Sequence, residues 1–80
     1  MAGPEVAADD PVLVALRAWR SERARADGVP AYTLFADRTL RELAFRRPAD
    51  AHELLTVWGL GEARVARFGE DLLTAIREAR

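Results

Sequence analysis

Eighty residues with half of them hydrophobic make one small domain whose stability must come from a well-filled core. There is no cysteine, which excludes disulfides, thiolate zinc sites and cysteine nucleophiles. No stretch has the length of a membrane span and no basic region precedes an apolar run, so the expectation is a soluble, cytoplasmic chain. A net charge of −1 argues against a strongly electrostatic binder of polyanions. All twelve basic residues are arginine, and their distribution is uneven. Between residues 17 and 47 eight arginines face four carboxylates, a net of +4, so the rest of the chain carries −5. A dipolar molecule of this kind can hold a basic face despite its total charge.

Residues 1–10 are small, acidic and aperiodic, and read as a disordered leader or linker ahead of a helical domain spanning 11–80. Asp9 or Asp10 can cap a first helix with Pro11 in its first turn, running to about Ala26 and stopping near Gly28. Leu13, Leu16, Arg20 and Ala24 share one stripe of that helix, with Trp19 at its edge as a core residue. Arg20, on an otherwise apolar stripe, is expected to cross the core and pair with a carboxylate such as Asp37. Val29-Pro30-Ala31-Tyr32 is a rigid connector, and Thr33 to Ala36 a short helical turn.

Asp37 is expected to cap a second helix from Arg38 to Arg46 or Arg47, closed by Pro48, with Leu40, Leu43, Ala44 and Phe45 inward. Asp50 and Glu53 have capping-box spacing and open a short helix to about Val57. Gly59-Leu60-Gly61 is a tight turn, and the last helix sets Val65, Phe68, Leu72 and Ile76 on one face up to about Arg80. No segment alternates as a strand does. The fold class is therefore all-α, a compact bundle of four to five short helices.

The ordered set Leu16-Arg17-x-Trp19-Arg20, Ala24, Gly28-Val29-Pro30-x-Tyr32-x-x-Phe35-x-Asp37-x-x-Leu40-x-x-Leu43-Ala44 and Pro48 resembles the HRDC domain, the helicase-and-RNase-D C-terminal module. The likeness continues through Glu53-Leu54-Leu55-x-Val57-x-Gly59-Leu60-Gly61 and Arg67-Phe68-Gly69-x-x-Leu72-Leu73-x-x-Ile76, covering about residues 13 to 76. The resemblance implies a five-helix bundle appended to RecQ-type helicases, some UvrD-type helicases and RNase D exonucleases. It implies a role in nucleic-acid binding or substrate targeting without catalysis, and a parent that is an ATP-dependent DNA helicase or a nuclease. Trp58 departs from the pattern, where a smaller residue or proline is usual.

The residues themselves offer several phosphate contacts. The Gly59–Gly61 turn leaves the first N–H groups of the last helix clustered, and a helix start favours an anion. Arg64 and Arg67 follow it, while Glu62 already occupies the positive end. Arg38, Arg41, Arg46 and Arg47 give the second helix an arginine-rich flank suited to bidentate phosphate contact, or else a solvated face with local pairs such as Arg38 with Glu42. Tyr32 is placed to stack on an unpaired base, or to seal the first helix against the rest. His52 and Ser21 stand alone, no phosphate-loop lysine exists, and no pair of acids suggests acid–base chemistry. The expectation is therefore a domain without metal, cofactor or catalytic site, monomeric, binding single-stranded or forked DNA weakly and by structure, in a DNA-repair helicase or RNase D-like nuclease. The alternative is a protein-interaction or intramolecular spacer domain of the same enzyme.

Overall fold

Asp10 starts the first helix. Its carboxylate accepts the N–H groups of Val12 at 2.9 Å and Leu13 at 3.1 Å, two of the donors a helix start leaves without partners. The computed structural model describes residues 3–80, and α1 spans Pro11–Asp27 in it. Gly28 ends α1 in the left-handed conformation (φ 69°), and the N–H groups of Gly28 and Val29 turn back to the carbonyls of Arg25 and Ala24. A single 3-10 turn, Ala31–Thr33, follows the proline, two residues earlier than the helical turn the sequence suggested. Then come α2 (Asp37–Arg46), α3 (Ala51–Leu54) and α4 (Glu62–Ala79), with no strand among the described residues. No described helix is long and apolar enough to cross a membrane.

α1 packs against both α2 and α4, and α3 against α4. The core joins Val12, Leu13 and Leu16 of α1 to Phe35, to Leu40 and Leu43 of α2, to Leu54, and to Phe68, Leu72 and Ile76 of α4, all buried. Leu13, Leu16, Leu40, Leu43, Phe68, Leu72 and Ile76 are on the helical stripes read from the sequence, and Val12, Phe35 and Leu54 join them.

Three details differ. The cap of α2 is Ala36, and Asp37 is the first residue inside the helix. Its carboxylate is drawn away from the backbone by Arg20, which binds it at 2.9 Å and donates to the Phe35 carbonyl at 2.8 Å. The cross-core pairing of Arg20 expected from the sequence is thus present. Second, Phe45 is 65 % exposed. The inward arc of α2 is centred between Thr39 and Leu43, with Thr39 and Glu42 also buried, and at about 100° per residue Phe45 falls on the opposite side. Third, α3 stops at Leu54 and the chain descends to Gly61 through successive turns. There the Thr56 hydroxyl donates to the Glu53 carbonyl at 2.7 Å, offering the backbone an alternative to the helix ladder. The capping box at α3 is present in shifted form. Asp50 accepts the Glu53 N–H, while Glu53 reaches back to the N–H of Ala49 rather than of Asp50.

Two aspartates tie these elements to pH. The Arg20 hydrogen bond beside Asp37, helped by Arg17 and Arg41, holds its carboxyl below the ordinary value of 3.8. The Leu13 N–H does the same for Asp10, with Val12 and Arg47 adding to it. A lowered folded-state pKa means stability that is complete above the unfolded value and drains away as pH falls through the folded one. Thermal melting should therefore be flat from pH 6 to about 5 and fall below about 4. Asp37→Asn should lower Tm by about 4–8 °C at pH 6, roughly 1 kcal/mol, kept small because the carboxylate is more than half exposed to screening solvent. That difference should shrink as pH falls through the lowered folded-state value, where the wild-type carboxyl itself takes up a proton. An Asp37→Asn deficit that persists unchanged in acid would refute the ion-pair account.

Candidate nucleic-acid interface

Three aromatic rings, from α1, the segment before α2, and α4, meet beside the start of α4. Trp19 of α1 lies 5.8 Å from both Phe35 and Phe68, and those two rings are 5.3 Å apart and edge-to-face. Guanidinium groups lie over the rings: Arg64 over Phe35 at 5.1 Å, and Arg67 and Arg23 over Phe68 at 4.8 and 5.2 Å. Such a contact is worth about 0.5–1 kcal/mol at an exposed site. It lowers the freedom of a long side chain and uses the face of the guanidinium, so the in-plane N–H groups can still donate.

Between the 3-10 turn and α4 runs a cleft of 190 Å³ lined by Thr33, Leu34, Ala63, Arg64, Arg67 and Phe68. Tyr32, on the turn that forms one wall, is 72 % exposed. It therefore does not seal α1 against the bundle, one of the two roles open to it from sequence. Gly61 caps α4 in an extended conformation without a side-chain bond to the helix start. The first rung of α4 is Val65 N–H to the Gly61 carbonyl at 3.0 Å, so the N–H groups of Glu62, Ala63 and Arg64 precede the ladder.

The hinge itself is fixed by packing. Gly59 has φ 86°, and a β carbon there would lie 2.3 Å from the Thr39 hydroxyl oxygen of α2. Gly61 has no such neighbour within 4 Å. Trp58 is 47 % exposed and lies under the Arg38 guanidinium, 4.4 Å from its centre. The starts of α2 and α4 are thereby joined: Arg38 reaches the hinge before α4, and Arg64 reaches Phe35 just before α2.

The nine residues singled out from sequence separate into two groups. Arg64 and Arg67 line the cleft at the start of α4, with Gly61 at the helix cap and Tyr32 on the turn opposite, and Gly59 and Arg38 adjoin through the hinge. The other three basic residues of α2 lie elsewhere. Arg41 lines a depression with residues 3–7. Arg46 turns back to Glu42 at 2.9 Å. Arg47 leaves the helix at φ 48° and meets Asp10 at 3.2 Å and the Ala44 carbonyl at 3.3 Å.

Arg23 and Asp27 join the α4 group and were not read from sequence. Asp27 sits 3.3 Å from Arg23 and 3.5 Å from Arg67, and Asp71 3.7 Å from Arg23. These are long, partly solvated pairs that hold the cations weakly. The i, i+4 spacing of Arg23 and Asp27 was visible in the sequence; their approach to α4 was not.

The model of one domain family, the HRDC domain, matches residues 9–76. The ATP-dependent DNA helicase UvrD2 of Mycobacterium tuberculosis is 35 % identical over 69 residues, which is 86 % of this chain and 10 % of that protein. The ATP-dependent DNA helicase RecQ of Bacillus subtilis is 36 % identical over 69 residues, 86 % of this chain and 12 % of that protein. The chain thus spans about a tenth of the length of these relatives. A solved structure, D. radiodurans RecQ HRDC domain 3, superposes with a TM-score of 0.83 at 38 % identity, covering 90 % of this chain and 95 % of that one. Matched in sequence from Asp9 to Ile76 and in helical architecture over nearly its whole length, the chain belongs to the HRDC domain family.

Proposed function

We propose that this HRDC domain is a non-catalytic accessory module that gives a DNA helicase, of the RecQ or UvrD type or else an RNase D-like nuclease, a weak hold on single-stranded or forked DNA during repair. It acts as a monomer within the cytoplasm. The observation that carries this reading is the pair Arg64 and Arg67, held on aromatic rings beside an open cleft, the uncapped start of α4 and the exposed Tyr32. Phosphate charge is met by fork-shaped donors, and an unpaired base by a ring. Recognition is of strand structure rather than sequence, because no helix offers a run of base-reading side chains. Affinity is low because Glu62, Asp27 and the net charge of −1 oppose a polyanion.

The test is a titration of fluorescently labelled single-stranded DNA at about 50 mM salt, where phosphate binding is strongest. Arg64→Ala with Arg67→Ala is expected to weaken binding about tenfold or more and to reduce the salt slope by about 0.7 for each phosphate no longer neutralised. Equal affinity and slope in wild type and double variant would reject this surface. Absence of binding by the wild type at high concentration would leave the domain a spacer or a protein-interaction module.

A further inference from the structure

The side of α2 turned away from the core is flanked by the chain itself. At about 100° per residue, Arg38, Arg41 and Phe45 form a stripe opposite Leu40, Leu43 and Ala44. The residues ahead of α1 follow that stripe in order. Gly3 rests on the aliphatic stem of Arg38, where a β carbon would approach Cγ to 2.8 Å. Glu5 and Arg41 line one depression. Glu5, Val6 and Asp10 line the next, with Phe45 and Arg47. Val6 packs against the core, and the Asp10 carboxylate meets Arg47 at 3.2 Å. The segment therefore runs parallel to α2, with the half-buried Val6 in its middle, Glu5 beside Arg41 and Asp10 on Arg47. The sequence read residues 1–10 as a leader; the described part has no helix or strand, yet it lies against α2.

We propose that the basic stripe of α2 is a docking surface for the chain's own acidic N-terminal segment, which competes there with the phosphates of a nucleic acid. The α4 end then meets DNA first, and the α2 face is added only when the segment is displaced. A tethered segment competes at an effective concentration near the millimolar range, so even a weak surface ion pair and one half-buried valine suffice against a weak ligand. The docking stands on the observed packing alone; the competition rests on the nucleic-acid reading above.

Two measurements separate these parts. The chain has no cysteine, so Ala8→Cys accepts a single nitroxide label at an exposed position. Paramagnetic broadening of the Arg41 and Phe45 amides is expected at low salt, and undisturbed α2 amides would overturn the docking. Glu5→Gln, a surface change, is expected to tighten single-stranded DNA binding about 3- to 10-fold at about 50 mM salt and to steepen the salt slope by about 0.7. Unchanged affinity and slope, with the wild type binding, would overturn the competition. DNA binding by neither protein would overturn the functional reading and the competition with it, while the broadening experiment still decides the docking.

Discussion

Phe35→Ala should remove most of the stability of the domain. The ring is fully buried between Trp19 and Phe68, on a segment held by the Arg20 hydrogen bond to its own carbonyl. Replacing a buried phenylalanine by alanine costs about 3–5 kcal/mol, the forfeited transfer energy plus the cavity left behind. Small domains hold only about 5–15 kcal/mol in total, and one of 80 residues belongs at the low end. A sharp loss of cooperative melting followed by circular dichroism is expected, together with loss of the near-ultraviolet signal of Trp19. Arg64 loses its ring platform in the same variant, so Phe35→Leu, which keeps most of the volume but not the aromatic face, is the informative companion. It should keep the fold and weaken DNA binding modestly. A Phe35→Ala protein that melts within about 3 °C of wild type would contradict the three-ring core.

Gly59→Ala is expected to be the most damaging single-methyl change in the chain. Its φ of 86° lies in the left-handed region, and the added β carbon would meet the Thr39 hydroxyl at 2.3 Å. Strained backbone contributes about 1–2 kcal/mol and overpacking a further 1–3 kcal/mol or so, a sum of about 3 kcal/mol. The two causes can be separated. Thr39→Ala removes the obstructing hydroxyl, which is buried and without a hydrogen-bond partner. The double variant should recover the steric part and leave the conformational part, giving a coupling of about 1–2 kcal/mol in a double-mutant cycle. Simple additivity would show that α2 and the hinge do not touch. Because the hinge also sets the start of α4, Gly59→Ala should disturb DNA binding where Gly61→Ala does not. Gly61 has an ordinary φ of −105° and open space around its Cα.

The candidate site was legible in part, and for a definite reason. Arg64, Arg67 and the Gly59–Gly61 hinge lie close together along the chain, so their proximity follows from local spacing. Tyr32 comes from a connector about thirty residues away, and its exposure depends on the 3-10 turn standing off the bundle. The α2 arginines read from sequence as one flank divide in the structure. Helical spacing puts Arg38 and Arg41 on one stripe, whereas Arg46 is drawn back by Glu42 and Arg47 leaves the helix altogether. Arg23 and Asp27 entered the site only because α1 lies along α4.

The sequence by itself determined the all-α class, the limits of α1 through an aspartate just before Pro11 and Gly28 just beyond its end, and the apolar stripes of α1 and α4. Each rests on a short-range rule: a carboxylate beside bare N–H groups, a residue without a β carbon at a helix end, a period of about 3.6. What only the tertiary structure decided was which charges meet. Ion pairs, ring stacking and the seat of the acidic segment on α2 depend on helix crossing and on side-chain reach. A guanidinium chooses among partners from distant parts of the chain by geometry that no local pattern encodes.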